Sequence, residues 1–120
     1  VMVTVEYQID PSRAAEFVAA MSELRDERRR HGAYSWGLFE DVSKPGCYLE
    51  YFTEESWLAH LRHHDRVSES DRAIQEKVGR LHLGPVAATV RHFLAPVPEI
   101  GNGRAPAAAV AGPGDAGERQ

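Results

Sequence analysis

The sequence predicts an α+β fold of ferredoxin-like type: β-α-β-β-α-α-β, a four-stranded antiparallel sheet with helices on one face. Three observations carry this. Period-two alternation and helical apolar spacing succeed one another in that order, Pro- and Gly-containing breaks separate them, and the large apolar side chains concentrate in residues 1–95.

Val1, Val3, Val5, Tyr7 and Ile9 alternate with Met2, Thr4, Glu6 and Gln8, the pattern of a strand with one buried face. Asp10-Pro11 ends it and supplies a helix N-cap and first position; Ala14, Phe17, Val18, Met21 and Leu24 then recur at helical spacing. Arg25 to Arg30 reads as a solvated helix end, with cations where the helix dipole favours them, and Gly32 as its stop. Ala33 to Val42 and Cys47 to Phe52 read as a hairpin turning at Ser43-Lys44-Pro45-Gly46. Thr53 is the expected cap of a second helix, with Phe52 and Trp57 as its hydrophobic staple and Leu58 and Leu61 continuing it. Ser68-Glu69-Ser70-Asp71 signals a fresh helix start with Ile74, Val78 and Leu81 as its stripe, Gly84-Pro85 stops it, and Val86 to Leu94 is the last strand.

The chain has 120 residues, of which 14 are Lys or Arg and 18 Asp or Glu, and the net charge of -4 argues against a nucleic-acid partner. No apolar run is long enough to cross a bilayer, and no export signal opens the chain. The one cysteine, Cys47, cannot close an intrachain disulfide, so the cytoplasm is the expected compartment. Residues 96–120 contain 15 Ala, Gly or Pro among 25 and are expected to be a disordered tail behind one domain, 1–95.

Helices on the Val3 and Val5 side would leave the other sheet face with Thr4, Glu6, Gln8, Glu50, Thr89 and Arg91, and with aromatics such as Tyr48, Phe52 and Phe93. Such a face is too apolar to stay wet, and two sheets packed face to face would cover it, giving a homodimeric α/β barrel with a small pocket in each subunit.

Chemistry-bearing motifs are sparse. His60 and His64, at i and i+4, make only an incomplete metal site, so no metal and no cofactor are expected. There is no nucleophile elbow and no glycine-rich phosphate loop. Trp36, Phe52, Trp57 and Arg91 are the candidate ligand-binding residues, for a small hydrophobic or aromatic ligand. Were the pocket catalytic, Trp36, Tyr48, Tyr51 and His64 would be its candidates.

Val3-Thr4-Val5-Glu6-Tyr7, Gly32-Ala33-Tyr34-Ser35-Trp36-Gly37-Leu38-Phe39 and Glu55-Ser56-Trp57-Leu58-Ala59-His60-Leu61-Arg62 with His64, Arg66-Val67 and Asp71-Arg72 carry a resemblance. On them the first 95 residues resemble the soluble C-terminal domain of bacterial major-facilitator transporters related to enterobactin exporters. The resemblance implies a cytoplasmic accessory or regulatory domain that works with a transporter membrane domain. The chain shows none of the membrane helices, so it is expected to be an excised domain or a free-standing relative.

The wider dimeric α/β-barrel superfamily, which includes antibiotic-biosynthesis monooxygenases and haem-degrading oxygenases, implies an alternative: a free-standing monooxygenase, isomerase or cyclase acting on a polycyclic aromatic substrate. Those enzymes rely on a pocket Asn with Trp and either Tyr or His. In this chain the only Asn is Asn102, and Tyr7, Phe52 and Asp71 stand at the matching positions. The departures count against that chemistry and against a haem complex.

Overall fold

The computed structural model describes residues 1–65, 67–84 and 87–97, the side chains of His64 and Asp65 excepted. The expectation of a disordered tail falls almost wholly outside the described residues. Strand β1 spans Met2–Gln8; a short 3-10 turn, Pro11–Arg13, leads into helix α1, Ala14–Arg30. Strands β2, Ser35–Glu40, and β3, Cys47–Thr53, follow, then helices α2, Trp57–Asp65, and α3, Glu69–Leu81, and strand β4, Thr89–Phe93. The sheet order is β2-β3-β1-β4 and every pairing is antiparallel. This is the expected ferredoxin-like arrangement. No helix among the described residues is long and apolar enough to cross a membrane.

Local signals account for most of these boundaries. The Asp10 carboxylate accepts from the Ser12 amide at 3.0 Å, and Gly32 leaves α1 with φ +110°. Ser68 and Asp71 close a reciprocal capping box at the start of α3. One expectation shifts: Thr53 stays in β3, and α2 begins at Trp57, with Ser56 Oγ accepting from the Ala59 amide at 3.1 Å. Glu54 therefore lies in a linker, where it exchanges backbone hydrogen bonds with Val1 of 2.8 and 2.9 Å.

The core forms where the Val5, Tyr7 and Ile9 face of β1 meets Phe17, Ala20, Met21 and Leu24 of α1 and Val78 and Leu81 of α3. Val18, expected in the stripe, is half-exposed. The solvated reading of Arg25 to Arg30 holds only in part. Glu27 and Arg28 continue the buried face of α1, three and four residues after Leu24, and point into the molecule.

Register corrects the content of the helix-free face. Val3 is opposite Phe52, Val5 opposite Glu50 and Tyr7 opposite Tyr48, and residues directly opposite across a ladder share a face. Phe52, Glu50 and Tyr48 thus lie on the helix side, with Trp36. Thr4, Glu6, Gln8, Thr89, Arg91 and Phe93 are on the free face as expected, joined by Met2, Phe39, Leu49 and Tyr51. There the Phe39 and Tyr51 rings stack at 6.1 Å, and Arg91 lies 3.7 Å from Glu6.

Candidate functional site

A cleft of about 440 Å³ opens between the sheet and the helices. Val3, Val5, Phe52 and Val90 from the sheet and Leu24 and Val78 from the helices make its walls apolar, and Ala87 and Ala88 stand at one end. Its polar side chains are few: Tyr7, Arg28, Gln75, His60 and His92. A concave apolar lining with a few convergent polar groups is the usual constitution of a small-molecule site.

Behind the cleft, Glu50 is fully buried. Four donor contacts reach its two oxygens. Arg28 forks onto both oxygens at 3.0 and 3.2 Å, the Tyr7 hydroxyl donates at 2.9 Å and Trp36 Nε1 at 2.8 Å. Arg28 also lies 4.4 Å over the Phe52 ring. Burial, reinforced by the Glu50 charge, pushes the Tyr7 phenol well above its usual range, so it acts there as a donor only.

A second polar cluster joins α1, the β3–α2 linker, α2 and β4. His60 Nδ1 donates to Glu54 Oε1 at 2.8 Å, and the far nitrogen of His60 is 3.1 Å from Nε2 of His92. His63 stands between two carboxylates, Glu54 at 3.6 Å on its Nδ1 side and Glu27 at 3.7 Å on its Nε2 side. Gln75 donates to Glu27 at 2.9 Å. His31 stacks on His63 at 4.8 Å and, with Arg30, binds Asp71.

The electrostatics follow from these contacts. Burial would raise the Glu54 carboxyl, but the two imidazoles outweigh it and bring the pKa down to about 2. Burial would likewise depress His63, yet the carboxylates on either side hold it up at about 9. At neutral pH the Glu54 carboxylate thus faces a His63 imidazolium.

The sequence-predicted site residues are divided between two faces. Trp36, Tyr48 and Phe52 are on the helix side. Phe52 lines the cleft, Trp36 is pinned to Glu50, and Tyr48 packs on Phe17 at 4.9 Å. Trp57 sits at the start of α2 with its ring 5.3 Å from His60 and 5.2 Å from His92. Tyr51 and Arg91 are on the opposite, helix-free face. The His64 side chain lies outside the described residues. Composition and periodicity missed Glu27, Arg28, Glu50, Glu54 and His92, because charged side chains in an amphipathic pattern read as solvent-facing. The only available signal was helical spacing, which carries the buried stripe of α1 on from Leu24 to Glu27 and Arg28.

Comparison with solved structures shows the fold again. A Caulobacter crescentus protein provisionally described as an antibiotic biosynthesis monooxygenase superposes with a TM-score of 0.63 at 20% identity, covering 75% of this chain and 83% of its own. SnoaB, a cofactor-independent oxygenase from Streptomyces nogalater, gives 0.62 at 15% identity over 79% of this chain and 90% of its own. Rv0793 from Mycobacterium tuberculosis gives 0.59 at 23% identity over 78% and 94%. No curated protein matches the chain. Residues 1–99 match the major-facilitator family described as transmembrane secretion effector, and that match spans every described strand and helix. The chain belongs to the transmembrane secretion effector family.

Proposed function

We propose that this chain is a cytoplasmic accessory or regulatory domain of an efflux transporter, and that it binds a small hydrophobic or aromatic ligand in the cleft between sheet and helices. The observation that carries the reading is the cleft itself: apolar walls with Arg28, Gln75, His60 and His92 as its polar anchors. Family membership supplies the transporter context. A ligand held there touches β1, β3, β4 and all three helices at once, which suits a domain that reports occupancy to a partner.

The domain works as a homodimer in this reading, with residues 1–95 as the folded unit. Met2, Phe39, Leu49 and Phe93 are each more than a third exposed on the helix-free face, and a second copy of that face is the self-complementary cover for them. Two sheets stacked about 10 Å apart would bury on the order of 1,500 Å² in total.

The second reading is a cofactor-independent monooxygenase, isomerase or cyclase. It is supported by the likeness in fold to SnoaB and by the Tyr7, His60 and His92 side chains in the cleft. Phe52 belongs to the ligand site in both readings, with Trp36 bonded to Glu50 behind it; Arg91 and Tyr51 would serve the dimer interface instead.

Titration with planar hydrophobic compounds under an oxygen electrode tests both. Trp57, packed against His92, is expected to change its fluorescence saturably, without oxygen uptake. Saturable binding with oxygen consumption would favour the enzyme, and no response across a varied panel would remove the ligand-binding proposal.

A further inference from the structure

Glu54, His60 and His63 present one ligand atom each, all within 4.8 Å of one another, and all three side chains are more than nine-tenths buried. Ligand atoms on a tetrahedral zinc ion stand about 3.3 Å apart, as bonds of about 2.0 Å require. The Glu54 carboxylate has one imidazole beside each of its oxygens, His60 Nδ1 at 2.8 Å from Oε1 and His63 Nδ1 at 3.6 Å from Oε2, so the three groups converge at close to that scale.

Two further observations point to an ion. Glu54 Oε2 is buried and accepts no hydrogen bond; its polar neighbour is His63 Nδ1 at 3.6 Å, a longer contact than a buried carboxylate oxygen usually keeps. Both imidazoles would bind through Nδ1, and each has an outer partner on its other nitrogen: His92 Nε2 at 3.1 Å for His60, and Glu27 Oε1 at 3.7 Å for His63, itself held by Gln75. Ligand histidines are oriented by such a second layer of contacts, which fixes the ring and its tautomer.

We propose that Glu54, His60 and His63 form a binding site for a divalent transition-metal ion of the zinc class, with two imidazoles and one carboxylate as ligands and a remaining coordination position. His60 also lines the cleft, so the site adjoins the pocket. Imidazole and carboxylate donors without thiolate suit zinc or cobalt(II) over copper(I). The backbone is arranged for it: Glu54 is fixed by its pairing with Val1, and the two histidines are successive on one face of α2.

The test is titration of the untagged, chelator-stripped chain with cobalt(II), followed by displacement with zinc. One ion per chain is expected, with the visible absorption of a four- or five-coordinate site. Glu54→Gln and His63→Gln should each weaken binding about 100-fold or more, His92→Phe about 10-fold, and His82→Gln, on the far side of the sheet end, not at all. X-ray absorption of the zinc-loaded parent chain should show two imidazoles and oxygen in the first shell, a readout that needs no variant to fold. No binding at micromolar metal would overturn the assignment. So would an all-oxygen shell, or affinity that survives Glu54→Gln but is lost in Asp71→Asn, which belongs to the neighbouring Glu27, His31 and Asp71 group.

Discussion

Arg28 of α1 and Glu50 of β3 form a two-pronged ion pair, 3.0 and 3.2 Å, that ties the first helix to the sheet across the floor of the cleft. Glu50 is fully buried and the Arg28 side chain is 12% exposed, so neither charge has much recourse to water. Removing one partner leaves the other stranded. Arg28→Ala should lower stability by about 3–5 kcal/mol, and Glu50→Gln should also destabilise, because its single amide oxygen cannot replace both the Oε1 that accepts from Tyr7 and the Oε2 that accepts from Trp36, and it leaves the Arg28 charge without its counter-ion. Urea unfolding followed by tryptophan fluorescence measures both, and an Arg28→Ala loss below about 1 kcal/mol would contradict this account.

At Gly46 the hairpin turn needs φ +91°, and a Cβ there would come within 2.5 Å of the Ile9 carbonyl oxygen. Gly46→Ala combines a left-handed backbone penalty with a clash against main chain that is itself bonded to Gly46, Ile9 N to Gly46 O at 2.7 Å. The expected loss is about 2 kcal/mol or more, read as a lower denaturation midpoint with an unchanged slope.

Acid should weaken the molecule through Asp71. Burial alone would raise its carboxyl, but His31, the Ser68 amide and Arg30 hold it well below the usual carboxylate range, with the Glu27 carboxylate nearby. A carboxyl with a depressed folded-state pKa contributes stability in full above its unfolded value of about 3.9 and loses it as pH falls toward the folded value. The stability gap between the parent and Asp71→Asn should therefore be full at neutral pH and narrow as pH drops through about 4. Thermal unfolding at stepped pH measures it, and a gap that widened in acid would refute this linkage.

Leu49 lies on the helix-free face, on β3 between Phe39 of β2 and Glu6 of β1, and is 39% exposed. If two copies pair through this face, Leu49→Glu puts a buried charge on each side of a two-fold interface. Sedimentation equilibrium at micromolar concentration should give a dimer for the parent and a monomer for the variant. A parent chain that stays monomeric as concentration rises would eliminate the pairing.

Alternation in β1, the Ser68–Asp71 cap and the Pro-Gly turn were all legible because each is a local rule acting within a few residues. The side on which Glu50 falls was not. Cys47 to Thr53 carries apolar or aromatic side chains at both parities, so its composition leaves the buried face undecided, and only pairing with β1 settles it. The polar cluster was hidden for a related reason. His60 and His64 suggested a pair at i and i+4, whereas the carboxylate that meets His60 and His63 is Glu54, which is free to fold back only because α2 starts at Trp57. Long-range charge pairing leaves no periodic trace in a sequence.

Strand β1 is the first element of the chain and an inner strand of the sheet, and both its neighbours are made much later: Met2 meets Thr53 on one side and Phe93 on the other. Each ladder closes a long loop before any hydrogen bond rewards it, while the β2–β3 hairpin and α1 need only local contacts. Assembly should therefore run outward from the hairpin and α1, with β1 docking onto β3 and β4 zipping on last. In that order, substitutions at the hairpin turn slow refolding, and those in β4 chiefly hasten unfolding, a division that the two arms of a denaturant chevron would separate.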